Sequence, residues 1–195
     1  VKAEEVICGN GAAEVIFTLC HAVKPKRALI PAPTFAEYGQ ALASTGCELE
    51  YYMLTENDGF VLSEAYLDIL HKGLDMAFLC NPNNPTGMLI PHRLLKRILE
   101  KCRKLDILLV VDECFLDVVK EPEEYSLKHS LSGFNNLFIL KAFTKRYAMA
   151  GVRLGYGLCS DRKLMERMEL CVQPWNVSTM AQAAGLQALT ETEYV

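Results

Sequence analysis

Short apolar runs alternate along the chain with segments whose apolar positions recur every three or four residues. The runs predict strands over residues 27–31, 48–53, 75–80, 107–111, 136–141 and 155–160. The run 107–111, ILLVV, is apolar throughout, as a strand covered on both faces must be. Helical spacing predicts the segments between them. One helix spans 15–23. Thr34 is placed to cap a second through Ser44, with Gly46 at a left-handed closing position. Ser63 opens a third, with Leu67 and Leu70 on one face and Gly73 at its end. Pro91 begins a fourth, with Leu94, Leu95, Ile98, Leu99 and Cys102 three and four apart. Helical segments 161–172 and 179–190 follow, and the chain still reads as helix toward Val195. This alternation predicts an α/β fold, a three-layer α/β/α arrangement around a mostly parallel sheet. Ligands of such sheets sit beyond the carboxyl ends of the strands. The chemically distinctive residues do follow strands: 81–87 after one, Asp112 after another, Lys145 after a third.

Composition narrows the function classes. The chain has 195 residues, 51% of them hydrophobic and 23% charged, with a net charge of −4, enough apolar material for a continuous core. Its apolar runs fall far short of the roughly 18 residues of a membrane span, so no membrane partner is expected. No basic and apolar leader opens the sequence, so export is not expected either. A mildly acidic chain without a Lys/Arg stripe is a poor nucleic-acid binder. Eight cysteines lie mostly within apolar runs, with no C-x-x-C pair, and read as buried free thiols of a reducing cytoplasm. Four scattered histidines show no ligand spacing, and no metal is expected. Residues 121–124 read as a solvated turn.

Four segments carry candidate chemistry. Gly9-Asn10-Gly11-Ala12-Ala13-Glu14 leads into a helix, where exposed N–H groups of Gly11, Ala12 and Ala13 suit a phosphate. Glu14 replaces the third glycine of a dinucleotide fingerprint, and an ordinary tight turn reads as well. Asn81-Pro82-Asn83-Asn84-Pro85-Thr86-Gly87 is a rigid loop able to hold an amide in one orientation. Asp112 ends the ILLVV strand and needs a partner there, either as a site acid or as a helix cap; Glu113 beside it reads as structural. Thr144-Lys145-Arg146 and Arg153 follow the next strand. Lys145 is a surface charge or, in a pocket, a nucleophile toward a carbonyl; Arg153 offers a planar fork to a phosphate. An imine-forming lysine, a carboxylate, an amide and an anion cradle together match pyridoxal phosphate.

With Asn84-Pro85-Thr86-Gly87 and the segment TKRYAMAGVRLGY around Lys145 and Arg153, the chain resembles the class I and II aminotransferases, fold-type-I pyridoxal-phosphate enzymes. The resemblance runs from residue 4 to residue 190. It implies that Lys145 bonds the cofactor and moves the proton at Cα. Asp112 would pair with the pyridine nitrogen, Asn84 with the phenolic oxygen, and Phe35 would stack on the ring. Gly11, Ala12, Ala13, Thr144 and Arg153 would take the phosphate. Two positions depart from the pattern: Phe115 stands where many members have tyrosine, and Ala142 where many have serine or threonine.

GNGAAE, PTFAEYGQAL, Asp112-Glu113-Cys114-Phe115 and QPWNVS resemble the branch of threonine-phosphate decarboxylases and histidinol-phosphate aminotransferases. The resemblance implies decarboxylation of O-phospho-L-threonine in cobalamin biosynthesis, or amino transfer as the alternative. It also implies a cytoplasmic homodimer acting on a small, phosphorylated amino acid. A ligand-sensing domain of a transcription regulator is a third reading. Residues 1–195 would be the cofactor-binding large domain, without the N-terminal arm and C-terminal small domain of longer relatives. Trp175 and Met180 read as core packing or as the subunit contact.

Overall fold

The computed structural model describes residues 1–191 and 193. Seven strands form one sheet: β1 (Val6–Gly9), β2 (Arg27–Ala32), β3 (Glu48–Met53), β4 (Met76–Cys80), β5 (Leu108–Asp112), β6 (Leu137–Ala142) and β7 (Gly155–Cys159). Their order is β1-β7-β6-β5-β4-β2-β3. Strands β3, β2, β4, β5 and β6 run parallel, and β7 runs antiparallel to both of its neighbours, β6 and β1. The carboxyl ends of β1, β2, β4, β5 and β6 and the start of β7 therefore share one edge.

Among the described residues seven α-helices accompany the sheet: α1 (Ala12–Val23), α2 (Ala36–Ser44), α3 (Tyr66–Ile69), α4 (His92–Leu105), α5 (Phe143–Arg146), α6 (Arg162–Glu169) and α7 (Thr179–Ala188). Strand alternation sends side chains to two cores. Met76, Phe78, Val110, Phe138 and Leu140 meet α1, α2 and α6 on one face. Ala77, Leu79, Leu109, Val111, Leu137 and Ile139 meet α3 and α4 on the other. The predicted stripe of α4 is buried as expected, each fully buried Leu or Ile contributing about 2 kcal/mol. The uniform apolarity of β4 and β5 follows from this double cover.

Several local expectations differ. Thr34 does not cap α2; its hydroxyl donates to Asn83 Oδ1 at 2.8 Å, and Phe35 stands at the cap position. Gly46 does take the left-handed conformation, at φ 77°. The helix expected from Ser63 is the single turn α3. Leu70 is already extended, and the His71 ring reaches Glu50 on the edge strand β3. The short apolar stretch before Gly9 is the strand β1. Trp175 and Met180 are not core residues: they are 98% and 83% exposed, beside exposed Leu170, Leu186 and Leu189. The end of the helical reading, at 192, 194 and 195, lies outside the described residues.

All eight cysteines are free, six buried and two, Cys8 and Cys171, exposed. Among the described residues no helix is long and apolar enough to cross a membrane.

Candidate active site

The shared sheet edge brings the sequence candidates together. A cavity of about 200 Å³ is lined by Ala12, Ala13, Phe35, Cys80, Asn84, Asp112, Cys114, Phe115, Ala142, Thr144, Lys145 and Arg153. Of the expected residues only Gly11 is absent from this lining, and it stands directly behind it. A Cβ on Gly11 would lie 2.5 Å from Arg153 Nη2, and its φ of 86° is one that glycine alone adopts freely. Arg153 itself holds a left-handed φ of 61°, which turns its guanidinium back to the start of α1. The first N–H groups of α1 and this guanidinium make one anion cradle.

Asp112 is the floor. It ends β5 on the same face as Val110, toward α1 and α2, whereas Glu113 falls on the opposite face. Its Oδ1 accepts from the Cys114 N–H at 2.9 Å, and its Oδ2 accepts from the Tyr38 hydroxyl at 2.6 Å. No ion pair among the described residues reaches it, although it is only 5% exposed. A buried carboxylate held by neutral donors alone calls for a cationic partner. Burial pushes the flanking Cys80 thiol up to about 12 and raises Cys114 well above its ordinary range, so both present neutral sulfur.

The three asparagines after β4 divide the work. Asn81 accepts from Ile90 N–H at 2.8 Å and donates to Tyr125 O at 3.3 Å, closing the loop on itself. Asn83 donates to Pro33 O at 3.1 Å and to Thr86 Oγ1 at 2.9 Å, tying this loop to the one that carries Phe35. Asn84 faces the cavity.

Lys145, on the one-turn helix α5, is exposed at the rim. Its ammonium lies 5.1 Å from the centre of the Phe115 ring. Ala142 lines the cavity without a polar atom to offer, and Thr144 lies beside it.

The opposite face of the sheet steadies this turn. Asp117 Oδ1 takes both Lys141 Nζ at 3.0 Å and Arg146 Nη1 at 3.1 Å, so one oxygen grips the chain on either side of Lys145. Glu113, raised by burial, accepts from Ser126 Oγ and Leu127 N–H and lies 3.8 Å from Lys141. The structural reading of Glu113 therefore holds. Asp117 carried no signal in the sequence beyond its spacing from Asp112. Asp117→Ala should cost about 1–2 kcal/mol in urea unfolding, because it leaves Lys141 only the longer contact to Glu113 and frees the half-exposed Arg146. An unchanged midpoint would show that the clamp is not structural.

Pyridoxal phosphate, the group the resemblance implies, fits these residues. The cationless buried carboxylate suits a protonated pyridine nitrogen, the anion cradle suits the phosphate, and Lys145 suits the aldehyde.

A mostly parallel α/β sheet with an amine, a buried acid and an anion cradle converging at the strand ends has the donor set of a cofactor-binding site. Residues 1–195 match the family model for aminotransferase class I and II, and the chain belongs to that family. It is 43% identical over 194 residues to threonine-phosphate decarboxylase of Salmonella typhimurium, covering 100% of this chain and 53% of that one. It is 30% identical to histidinol-phosphate aminotransferase of Anoxybacillus flavithermus, covering 100% and 52%. Among solved structures, histidinol-phosphate aminotransferase from Clostridium acetobutylicum superposes with a TM-score of 0.89 at 27% identity, over 97% of this chain and 55% of that one. L-threonine-O-3-phosphate decarboxylase from Porphyromonas gingivalis gives 0.85 at 26%, over 100% and 56%. The chain spans about half the length of the curated relatives it matches.

Proposed function

We propose that this chain is the cofactor-binding large domain of a pyridoxal-phosphate enzyme that decarboxylates O-phospho-L-threonine, a step of cobalamin biosynthesis. The observation that carries this reading is 43% identity along the whole chain to a threonine-phosphate decarboxylase. Amino transfer from histidinol phosphate is the second reading, favoured by the 0.89 superposition on such an aminotransferase.

Bound pyridoxal phosphate supplies an aldehyde for an amine and a ring that accepts the electron pair left at Cα. The residues of this chain do the rest. Lys145 would hold the cofactor through its aldehyde and would carry the proton at Cα of the substrate. Asp112 would pair with a protonated pyridine nitrogen. The Asn84 amide would donate to the phenolic oxygen, the Phe35 ring would pack on the cofactor ring, and Thr144 would give the phosphate an extra donor. The N–H groups of Ala12 and Ala13, with Arg153, would take the rest of the phosphate's charge; the Gly11 N–H, expected to join them, donates instead to Gly9 O at 2.8 Å and closes the turn. The same residues serve loss of carbon dioxide or of a proton, so they do not choose between the two readings.

The enzyme works as a cytoplasmic homodimer in this proposal. Free cysteines support a reducing compartment, and the exposed group of Leu170, Trp175, Met180, Leu186 and Leu189 supports a covered face. The deciding assay offers the purified protein O-phospho-L-threonine and measures carbon dioxide. Release at a rate well above that with histidinol phosphate and a keto acid supports the first reading. Amino transfer without carbon dioxide replaces it with the second.

A further inference from the structure

We propose that Tyr38 is a positioning residue for Asp112, its buried phenol fixing the carboxylate's orientation toward the cavity and sharing its negative charge. The inference deepens the cofactor assignment and rests on it.

Tyr38 is fully buried, and its ring stacks on Phe78 at 4.9 Å and 19°. Its edge meets the Phe35 ring at 5.5 Å and 72°. That aromatic clamp leaves the hydroxyl aimed at Asp112 Oδ2, 2.6 Å away. A phenol at that distance makes a charge-assisted bond, about twice as strong as a neutral one. The second carboxylate oxygen is taken by the Cys114 N–H, so the rotation of the group is fixed from both sides.

Sequence spacing explains why one residue does this. Phe35 precedes α2 and Tyr38 lies three positions on, so the start of this helix presents both the ring that borders the cavity and the phenol beneath it. Burial, and then the charge of Asp112, push the Tyr38 phenol well above its ordinary range, so it stays a donor throughout the working pH. The groups that face the carboxylate are Tyr38 from α2, Cys80 from β4, Cys114 after β5, and Lys145 and Arg153 across the cavity. Burial raises both thiols, so neither replaces the phenol.

The test is a double-mutant cycle of Tyr38→Phe and Asp112→Asn in the purified protein, with the pyridoxal-phosphate dissociation constant as readout. Phenylalanine keeps the stack on Phe78 and removes only the oxygen. Tyr38→Phe is expected to weaken cofactor binding about tenfold, the scale of one lost hydrogen bond to a charged group. It should also move the pH midpoint of the bound-cofactor absorbance upward, because a less firmly protonated ring withdraws less charge. In the Asp112→Asn background the same change should have no further effect on binding.

An equal tenfold loss in both backgrounds overturns the proposal and makes Tyr38 a packing residue. Unchanged binding and unchanged midpoint in Tyr38→Phe also overturn it, while the wild-type cofactor band leaves the assignment standing. A wild-type protein that takes up no pyridoxal phosphate overturns both.

Discussion

Lys145→Ala should abolish the visible absorbance band expected of the purified protein with pyridoxal phosphate. Lys145 is the one lysine lining the cavity, and it lines it together with Asn84, Asp112 and Arg153. Its amine makes no ion pair among the described residues, so no competing carboxylate holds it. The neighbouring Lys141 is a ready control, because it points to the other face of the sheet and is held by Asp117 at 3.0 Å. Lys141→Ala should keep the band. Alanine at 145 suits the one-turn helix α5 and empties an exposed position, so the fold should survive. Asp112, Asn84 and the anion cradle stay in place, so residual non-covalent binding is expected at lower affinity. Turnover should fall by at least about 10⁴-fold, the loss of a nucleophile and proton carrier together. A band that persists in Lys145→Ala with the Lys141 control unchanged would move the covalent role elsewhere.

The convergence of most candidate residues on one cavity was legible in the sequence, while Cys80 and Cys114, which also line it, read only as buried thiols. Phe35, Asn84, Asp112, Lys145 and Arg153 each stand within a few positions of a strand end, and a parallel sheet converts that position into convergence at one edge. The strands were legible for a related reason. Core strands covered twice are apolar without interruption, and β5 emerges within one residue of its run. Residues that act through another residue left no such trace. Tyr38 reaches Asp112 because α2, packed on β2 and β3, sends its side chain across Phe78 to the end of β5, and Asp117 meets Lys141 because strand alternation puts Lys141 on its face. Neither fact is local. The Ser63 segment failed for a third reason. Its leucines are buried as a helix would bury them, but Leu67, Leu70 and Leu74 reach one core from a single turn followed by extended chain. The apolar spacing reported burial, and the backbone satisfied it differently. Glu14, at the missing third glycine, accepts from Asn10 N–H at 2.7 Å and braces the phosphate loop from its own helix.

Gly155→Ala should both destabilise the protein by about 3 kcal/mol or more and cut pyridoxal-phosphate affinity at least about 100-fold. The position does not need glycine for its backbone angles. It needs glycine for space. A Cβ there would stand 2.3 Å from the Ala12 nitrogen and 2.6 Å from the Gly11 carbonyl carbon. Both are backbone atoms of the anion cradle, not the tip of a side chain that can swing away. The strand cannot retreat either, because Gly155 pairs with Gly9 of β1 on one side and Ala142 of β6 on the other. Nor can α1 slide freely, since Val15, Ile16, Leu19 and Cys20 anchor it in the core. One of the two must move, and whichever does, the N–H groups at the start of α1 lose their alignment with Arg153. Gly87→Ala is the contrast. It has open space around its Cβ and only an unfavourable φ of 73°, so it should cost about 1 kcal/mol. Urea unfolding and cofactor titration of the two variants measure the difference. Equal, mild losses in both would mean that the β7–α1 contact yields and that the cradle is not held rigid by the sheet.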